Sequence, residues 1–257
     1  MRLPRFLGFS PRQTDVEMPA GWRGMDFHSH LLPAVDDGMA DLEESKTTIA
    51  ALQSLGFAGA VLTPHVYKDV FDNNAASLRR SFNDFTAALA ADHLAFPLYL
   101  AAEYFADEHF LQLLSQDDVL ALDVGGERWV LIEFPYLQET PFVGPCLSAL
   151  RARGYRPVIA HVERYRFVAQ APAIWLQRFA DAGAVLQGDI GSLVGQFGPP
   201  IQKFALWLLE RGNISIWGTD VHHAAQVAKH VAPGLARLGK SGRLNTMLDA
   251  LMSPVTA

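Results

Sequence analysis

The sequence predicts an α/β fold of the barrel type, a parallel sheet wrapped by helices. Three observations carry that expectation. Seven apolar, β-favouring runs alternate with amphipathic segments along 257 residues, which is the rhythm of a parallel sheet with helical crossovers. Helix-like segments end in a glycine at Gly56, Gly154, Gly183 and Gly212, where a left-handed residue closes a helix. Half of the residues are hydrophobic, enough for a large core.

Residues 1–23 precede the first run and are expected to form a mobile N-terminal arm. Their stretch MRLPRFLGFSPR is basic and partly apolar but has neither the long apolar region nor the small-residue cleavage site of a secretory signal. The first strand is MDFH (25–28). DLEESKTTIAALQSLG follows as a helix with Asp41 as its N-cap and Gly56 as its stop, and leads into AGAVLT (58–63). NNAASLRRSFNDFTAALAADH reads as the helix before PLYLAAE (97–103), and EHFLQLLSQ as the helix before RWVLIEF (128–134). PFVGPCLSALRARG, APAIWLQRFADAG and PPIQKFALWLLERG then precede RPVIAH (156–161), AVLQGD (184–189) and ISIWGT (214–219). No low-complexity tract, heptad run or linker interrupts the series, so residues 24–257 are expected to be one domain.

Composition excludes several function classes. A net charge of -6 and a pI near 5.8 leave no basic stripe for nucleic acid. No apolar run approaches the roughly 18 residues of a transmembrane helix. With one cysteine there is no intramolecular disulfide, and the cytoplasm is the expected compartment. Cys146 is followed six positions on by Ala152, with Arg151 one residue out of register for the Cys-x5-Arg loop of cysteine-dependent phosphatases. Its segment looks helical, so Cys146 is expected in the core.

In parallel barrels the chemistry gathers at the C-terminal ends of the strands, where the loops converge on one mouth. The first run ends in His28-Ser29-His30, with Asp36 and Asp37 in the loop beyond. The second runs into Thr63-Pro64-His65, the third ends at Glu103, the fourth at Glu133, the fifth at His161, and the seventh in Gly218-Thr219-Asp220-Val221-His222. Six of the seven runs therefore deliver His, Asp or Glu at the same end. Taken alone, His28-x-His30 also reads as an exposed polar loop; the other strand ends favour a metal site. Imidazole and carboxylate without thiolate point away from structural zinc and towards manganese, with iron, catalytic zinc or magnesium as alternatives. Five histidines and four carboxylates exceed what one ion can use, so a cluster of two or three divalent ions is expected. Closely spaced ions suit phosphoryl transfer, because together they neutralise the attacking and leaving oxygens.

The blocks DFHSHLLPAVDDG, VLTPH, AAEYF, VLIEFP, PVIAHVERY and GTDVHH, in that order from residue 25 to about 223, resemble the PHP (polymerase and histidinol phosphatase) superfamily. Within it they are similar to the bacterial tyrosine-protein phosphatases encoded with capsular and exopolysaccharide genes. The resemblance implies a distorted (β/α)7 TIM-like barrel with a trinuclear metal site at the C-terminal ends of the strands. It places His28, His30, Glu103 and Asp220 on one metal, and His65 and His161 on a second with Glu103 bridging and Glu133 close by. Asp37 and His222 help to hold a third. Arg164 matches an arginine used near the phosphate, where a planar guanidinium suits phosphoryl oxygens. The implied reaction is hydrolysis of phosphotyrosine, on the tyrosine-rich tail of a bacterial tyrosine autokinase that controls polysaccharide export.

The sequence departs from that pattern at two positions. Val227 stands where related phosphatases carry an arginine five residues after the last metal-binding histidine, leaving Lys229 or Arg166 to supply a second phosphate contact, and Val66 replaces a histidine found in some relatives. Phenolate, with a free pKa of about 10, leaves with little help from an acid; Asp36 is the candidate proton donor. Val227 also keeps open a non-catalytic docking module that retains its metals structurally, beside a small-molecule phosphatase acting on a histidinol phosphate-like ester and a metal-dependent nuclease, which the acidic balance disfavours. His93, His109, His223 and His230 are expected on the surface, and Trp175, Trp207 and Trp217 in the core. Tyr104, Phe105, Tyr136 and Phe142 are candidates for an apolar wall that receives an aromatic ring.

Overall fold

The computed structural model describes residues 23–242. The expected N-terminal arm, apart from Arg23, lies outside the described residues.

Seven staves form the sheet, and two of them are made of strands laid end to end. β1 (Gly24–Ser29) pairs in parallel with β2 (Phe57–Leu62), which pairs with β4 (Leu98–Leu100). Past Thr63-Pro64 the second stave continues as β3 (His65–Val66), and past Ala101-Ala102 the third continues as β5 (Glu103–Phe105); the two extensions pair with each other. The single strand expected over 97–103 is thus two short strands. The break costs little pairing, because Ala101 N donates to Leu62 O at 2.9 Å and Glu103 N to Pro64 O at 3.1 Å. β5 then pairs with β7 (Glu127–Glu133), and the parallel order continues through β8 (Tyr155–Ile159), β9 (Val185–Asp189) and β10 (Ile216–Gly218). β6 (Leu122–Val124) runs antiparallel to the start of β7 across a turn at Gly125-Gly126. This hairpin is not among the seven expected strands, although Gly-Gly between two β-favouring runs is a hairpin signal.

Helices clothe the outside: α1 (Leu42–Ser54), α2 (Ala75–Ala91), α3 (Glu108–Ser115), α4 (Val143–Ala152), α5 (Arg166–Gln170), α6 (Pro172–Asp181) and α7 (Pro199–Arg211). Asp41 caps α1 as expected, its side chain accepting from Glu44 N. Gly56, Gly154, Gly183 and Gly212 follow α1, α4, α6 and α7 with positive φ. After β10 the chain forms α8 (Ala224–Gln226), a π turn over Val227–Val231 and α9 (Ala232–Lys240), which no expected element covers.

Two cores result. The outer one lies between helices and sheet and includes Ile49, Leu78, Phe110, Cys146, Trp175 and Leu208. The inner one fills the barrel with Met25, Phe27, Val61, Ala101, Leu131 and Val158, the residues alternating inward along their strands. Leu122 and Val124 of β6 join this inner core beside Trp129, so the hairpin plugs the end where the strands begin. Among the described residues, Phe27, Val61, Ala101, Leu131 and Val158 leave a cavity of only about 20 Å³ between them.

The seam between β10 and β1 is short in backbone pairing. Ser29 and Val221 form an isolated parallel bridge, Asp220 N donates to His28 O at 2.9 Å and His30 N to Val221 O at 3.1 Å. Asp26, wholly buried, reinforces it: its carboxylate accepts from Thr219 Oγ1 at 2.5 Å, Thr219 N at 2.9 Å and His28 N at 3.2 Å. Asp26→Ala is expected to lower stability by about 2–4 kcal/mol, since it removes charge-assisted bonds and strands Thr219 without its partner. Burial pushes the Asp26 carboxyl up from 3.8 to about 6. Its folded value exceeds its unfolded one, so its contribution to stability is present in acid and is lost as pH rises from about 4 to about 6. Asp26→Asn is therefore expected to flatten that part of the stability profile, and urea midpoints measured across the window check both outcomes.

Candidate metal centre

The inward alternation that fills the barrel also builds its mouth. Val61 and Thr63 line the interior cavity, and His65 is the next inward position on that stave; Ala101 is followed by Glu103, and Leu131 by Glu133. Three staves thus change from apolar to ligand-type residues at the same height. β1 and β8 depart from simple alternation. β1 has a register irregularity between Asp26 and Ser29, and His28 and His30 project into the mouth although Phe27 is the inward core residue. His161 follows β8 with φ at 29°, and Asp220 follows β10 with φ at 48°. Non-glycine residues held there cost about 1–3 kcal/mol each and persist only where the surroundings over-determine them.

Together these side chains form three overlapping groups whose ligand atoms lie within 4.8 Å of one another: His28, His30, Glu103 and Asp220; His65, Glu103 and Glu133; and His30, Asp37, His65 and His222. In the first, His28 Nε2 is 3.1 Å from Glu103 and 3.3 Å from Asp220, and His30 Nε2 is 3.5 and 3.3 Å from the same carboxylates. In the second, His65 Nδ1 is 3.3 Å from Glu103 and 3.5 Å from Glu133. In the third, Asp37 is 3.5 Å from both His65 and His222. His161 Nε2 flanks the second group, 2.9 Å from Glu103 and 3.9 Å from Glu133. All nine ligand-type residues expected from the sequence meet at one mouth. Metal–ligand bonds of about 2.1 Å set neighbouring ligand atoms about 3.0–3.4 Å apart, close to the spacings found here.

The tautomers give a sharper test of whether cations fit. Gln187 Oε1 accepts from His161 N at 2.7 Å and its amide nitrogen donates to Gly188 O at 2.7 Å, which fixes the orientation of the amide. His28 Nδ1, 3.2 Å from that same oxygen, must then carry hydrogen, as must His30 Nδ1 at 2.8 Å from the Asp36 carboxylate. The two Nε2 atoms consequently face each other 3.2 Å apart, and two neutral imidazoles would set lone pair against lone pair. They repel unless a cation or a proton lies between them. His65 Nδ1 makes the same point, being buried beside two carboxylates without a hydrogen bond.

Electrostatics agree. Although burial opposes the charge, Glu103 and Asp220 hold the His28 imidazole up at about 9. Burial and the neighbouring Glu103 charge push the Glu133 carboxyl up to about 8. The mouth thus draws in positive charge, and divalent ions are the form of it that this ligand set is suited to hold.

Asp36 differs from expectation. Its Oδ2 accepts from His30 Nδ1 and from His65 N at 3.0 Å, and its Oδ1 accepts from Gly38 N at 2.9 Å. Despite burial, the His30 charge holds its carboxyl below the usual range. It is a carboxylate committed to three donors, which makes it an orienting partner of a histidine and a poor proton donor. Gln187 plays the corresponding part for His28 and is not among the residues that the sequence singles out; a glutamine on the buried, inward row of β9 is its signal. Gly218 is a further requirement, because a Cβ there would stand 2.5 Å from the Cβ of His28.

Arg164 lies at the rim. Its Nη1 donates to Asp220 Oδ2 at 2.7 Å, and its guanidinium is stacked between Tyr136 and Phe197, 4.4 and 4.2 Å from the ring centroids. Tyr136 OH in turn donates to Glu133 at 3.2 Å. Of the four aromatics considered for an apolar wall, only Tyr136 reaches the centre. Tyr104 is buried against Phe110 with its hydroxyl on Leu120 N, Phe105 stacks on Tyr67, and Phe142 packs on the outer core. Cys146 is fully buried in α4, where burial raises its thiol to about 12, so it is no nucleophile. Val227 is buried in the core; Lys229 is exposed on the π turn, and Arg166 lines a cavity shared with Arg164.

Comparison with known proteins gives this centre relatives. The tyrosine-protein phosphatase YwqE of Bacillus subtilis is 30% identical over 216 residues, 84% of each chain. The tyrosine-protein phosphatase CpsB of Streptococcus pneumoniae is 28% identical over 206 residues, 77% of this chain and 83% of that one. A crystal structure from a study of these two proteins, described as unique metal-dependent tyrosine phosphatases, superposes with a TM-score of 0.70 at 28% identity over 86% of this chain and 93% of that one. The histidinol phosphate phosphatase of Lactococcus lactis shares the fold, with a TM-score of 0.53 at 17% identity over 85% of this chain and 94% of that one. The family described as capsular polysaccharide synthesis, CpsB/CapC, matches residues 24–248. With the barrel, the clustered imidazoles and carboxylates, and a match over most of the chain, this protein belongs to the CpsB/CapC family.

Proposed function

We propose that this chain is a metal-dependent protein-tyrosine phosphatase, which hydrolyses the phosphomonoester of phosphotyrosine in a protein substrate. The observation that carries the reading is the convergence of His28 Nε2 and His30 Nε2, 3.2 Å apart, on the Glu103 and Asp220 carboxylates at a mouth whose rim bears Arg164. His28, His30, Glu103 and Asp220 would hold one divalent ion; His65, Glu103 and Glu133, with His161 beside them, a second; and Asp37 and His222 would help to hold a third. Manganese is our choice of metal for a ligand set of imidazole and carboxylate without thiolate. Bound divalent ions supply Lewis acidity: they lower the pKa of water and neutralise phosphoryl oxygens.

The chain's own residues do the rest. Asp36 and Gln187 hold His30 and His28 in one tautomer and orientation. Arg164, fixed by Asp220 and two aromatic faces, presents positive charge to equatorial phosphoryl oxygens as charge shifts between them. A phenolate leaving group with a pKa of about 10 needs only a weak acid, so Asp36 can serve as an orienting group. The phosphotyrosine tail of a bacterial tyrosine autokinase is the protein substrate we infer, supported by the capsule-synthesis family and by the names of the relatives. Among the described residues no helix is long and apolar enough to cross a membrane; we place the enzyme in the cytoplasm, as a single domain over residues 24–257.

Manganese-loaded protein is expected to hydrolyse a phosphotyrosine peptide in preference to histidinol phosphate and single-stranded DNA, and a chelator is expected to abolish that activity. Hydrolysis that survives chelation sinks the reading. Arg164→Ala is expected to lower kcat/KM by about 10²–10³. Arg164→Lys should recover little of it, because a point charge reproduces neither the planar fork nor the stacking. Because His28 is held at about 9 in the absence of metal, loading must displace protons. Calorimetric titration of metal in buffers of different ionisation enthalpy should show proton release, with affinity falling as pH is lowered.

A further inference from the structure

Beside the metal centre lies a cavity of about 360 Å³ that the chemistry at the metal ligands does not use. Leu137, Ala169, Pro200 and Ile201 give it an apolar lining, which the rings of Phe197 and Tyr136 complete. Arg164 belongs to both places: it lines the cavity, stacks on both of those rings, and donates to Asp220 at the centre. Arg166, exposed, stands on the same lining. Only four large hydrophobic residues are exposed among the described residues, and two of them, Tyr136 at 38% and Leu137 at 74%, are adjacent in sequence at this edge. An apolar surface left open next to a reaction centre marks a place where a ligand completes the packing.

We propose that this cavity is a specificity subsite of the phosphatase, taking an apolar side chain from a residue one or two positions from phosphotyrosine. The proposal rests on the phosphotyrosine reading above. The occupant follows from the lining and from continuity with the mouth. A phosphotyrosine whose phosphate meets the metal ligands and Arg164 brings its neighbouring residues past Tyr136 and Phe197. An extended peptide advances only about 3.3 Å per residue, so a residue close in sequence is the one that reaches the cavity. Arg166 adds charge complementarity for an acidic neighbour at the exposed edge, while Glu163, buried on the same lining, accepts from Asp189 N at 2.9 Å. Arg166 thus provides the cation that Val227 lacks, but directs it at the peptide.

The test compares phosphotyrosine peptides that differ only in leucine against serine, one or two positions to either side. It measures kcat/KM with manganese-loaded protein, and also the affinity of the same peptides carrying a non-hydrolysable phosphonate. Leucine at one of these positions is expected to be favoured about tenfold, the scale on which an apolar pocket discriminates. Ile201→Asp and Leu137→Ser should each bring that ratio towards one. Leu137 is so exposed that its replacement leaves the fold intact, so a folding defect in Ile201→Asp does not blunt the experiment. Arg166→Glu should reverse a preference for an acidic over a basic neighbour. If all the phosphotyrosine peptides are cleaved and bound alike, or if both pocket variants keep the wild-type ratio, the subsite is overturned while the phosphatase reading stands. If no phosphotyrosine peptide is cleaved, both fail.

Discussion

Glu103 has no exposed surface, and imidazole nitrogens of four histidines stand within 3.5 Å of its carboxylate. An ionised carboxylate removed from water costs several kcal/mol unless its surroundings return charge and hydrogen bonds. Much of the mouth serves that requirement. His28 and His30 can present Nε2 to Glu103 only while Gln187 and Asp36 hold their other nitrogens, and Asp36 can do so only in a loop that brings Gly38 N and His65 N to its oxygens. Each layer of partners narrows the conformations left to the next, so a cluster of residues distant in sequence behaves as one rigid object.

Much of this is legible in the amino-acid sequence alone. The six strand ends carrying His, Asp or Glu are close in kind to what the mouth contains, because parallel strands with short returns put like ends together and ligand chemistry restricts the residue types there. What stays hidden depends on pairing across the chain. Asp26 reads in sequence as an odd polar residue among Met25 and Phe27; its partner, Thr219, is 193 positions away. The division of the expected strand 97–103 at Ala101-Ala102 leaves no mark in an apolar run. Asp36 and Asp37 are adjacent and chemically alike, yet one orients a histidine and the other stands between His65 and His222. Only the loop backbone tells them apart. The hairpin at Gly125-Gly126 has a signal that the alternation of strand and helix overshadows.

The seam of the barrel and the metal centre occupy the same few residues. β10 is three residues long, and its attachment to β1 runs through Thr219, Asp220 and Val221. Asp220, in a strained backbone conformation, faces His28 and His30 with one oxygen and Arg164 with the other. Closure of the sheet and placement of the ligands are thus one event, and a change that loosens one loosens the other.

The β6 hairpin has a consequence for traffic. By pressing Leu122 and Val124 into the bottom of the barrel it turns what could have been a conduit into a cup. Arrival and departure then share the mouth: a phosphate freed there would leave past the same rim that admits the protein bearing it, and the cleaved chain would have to step aside first.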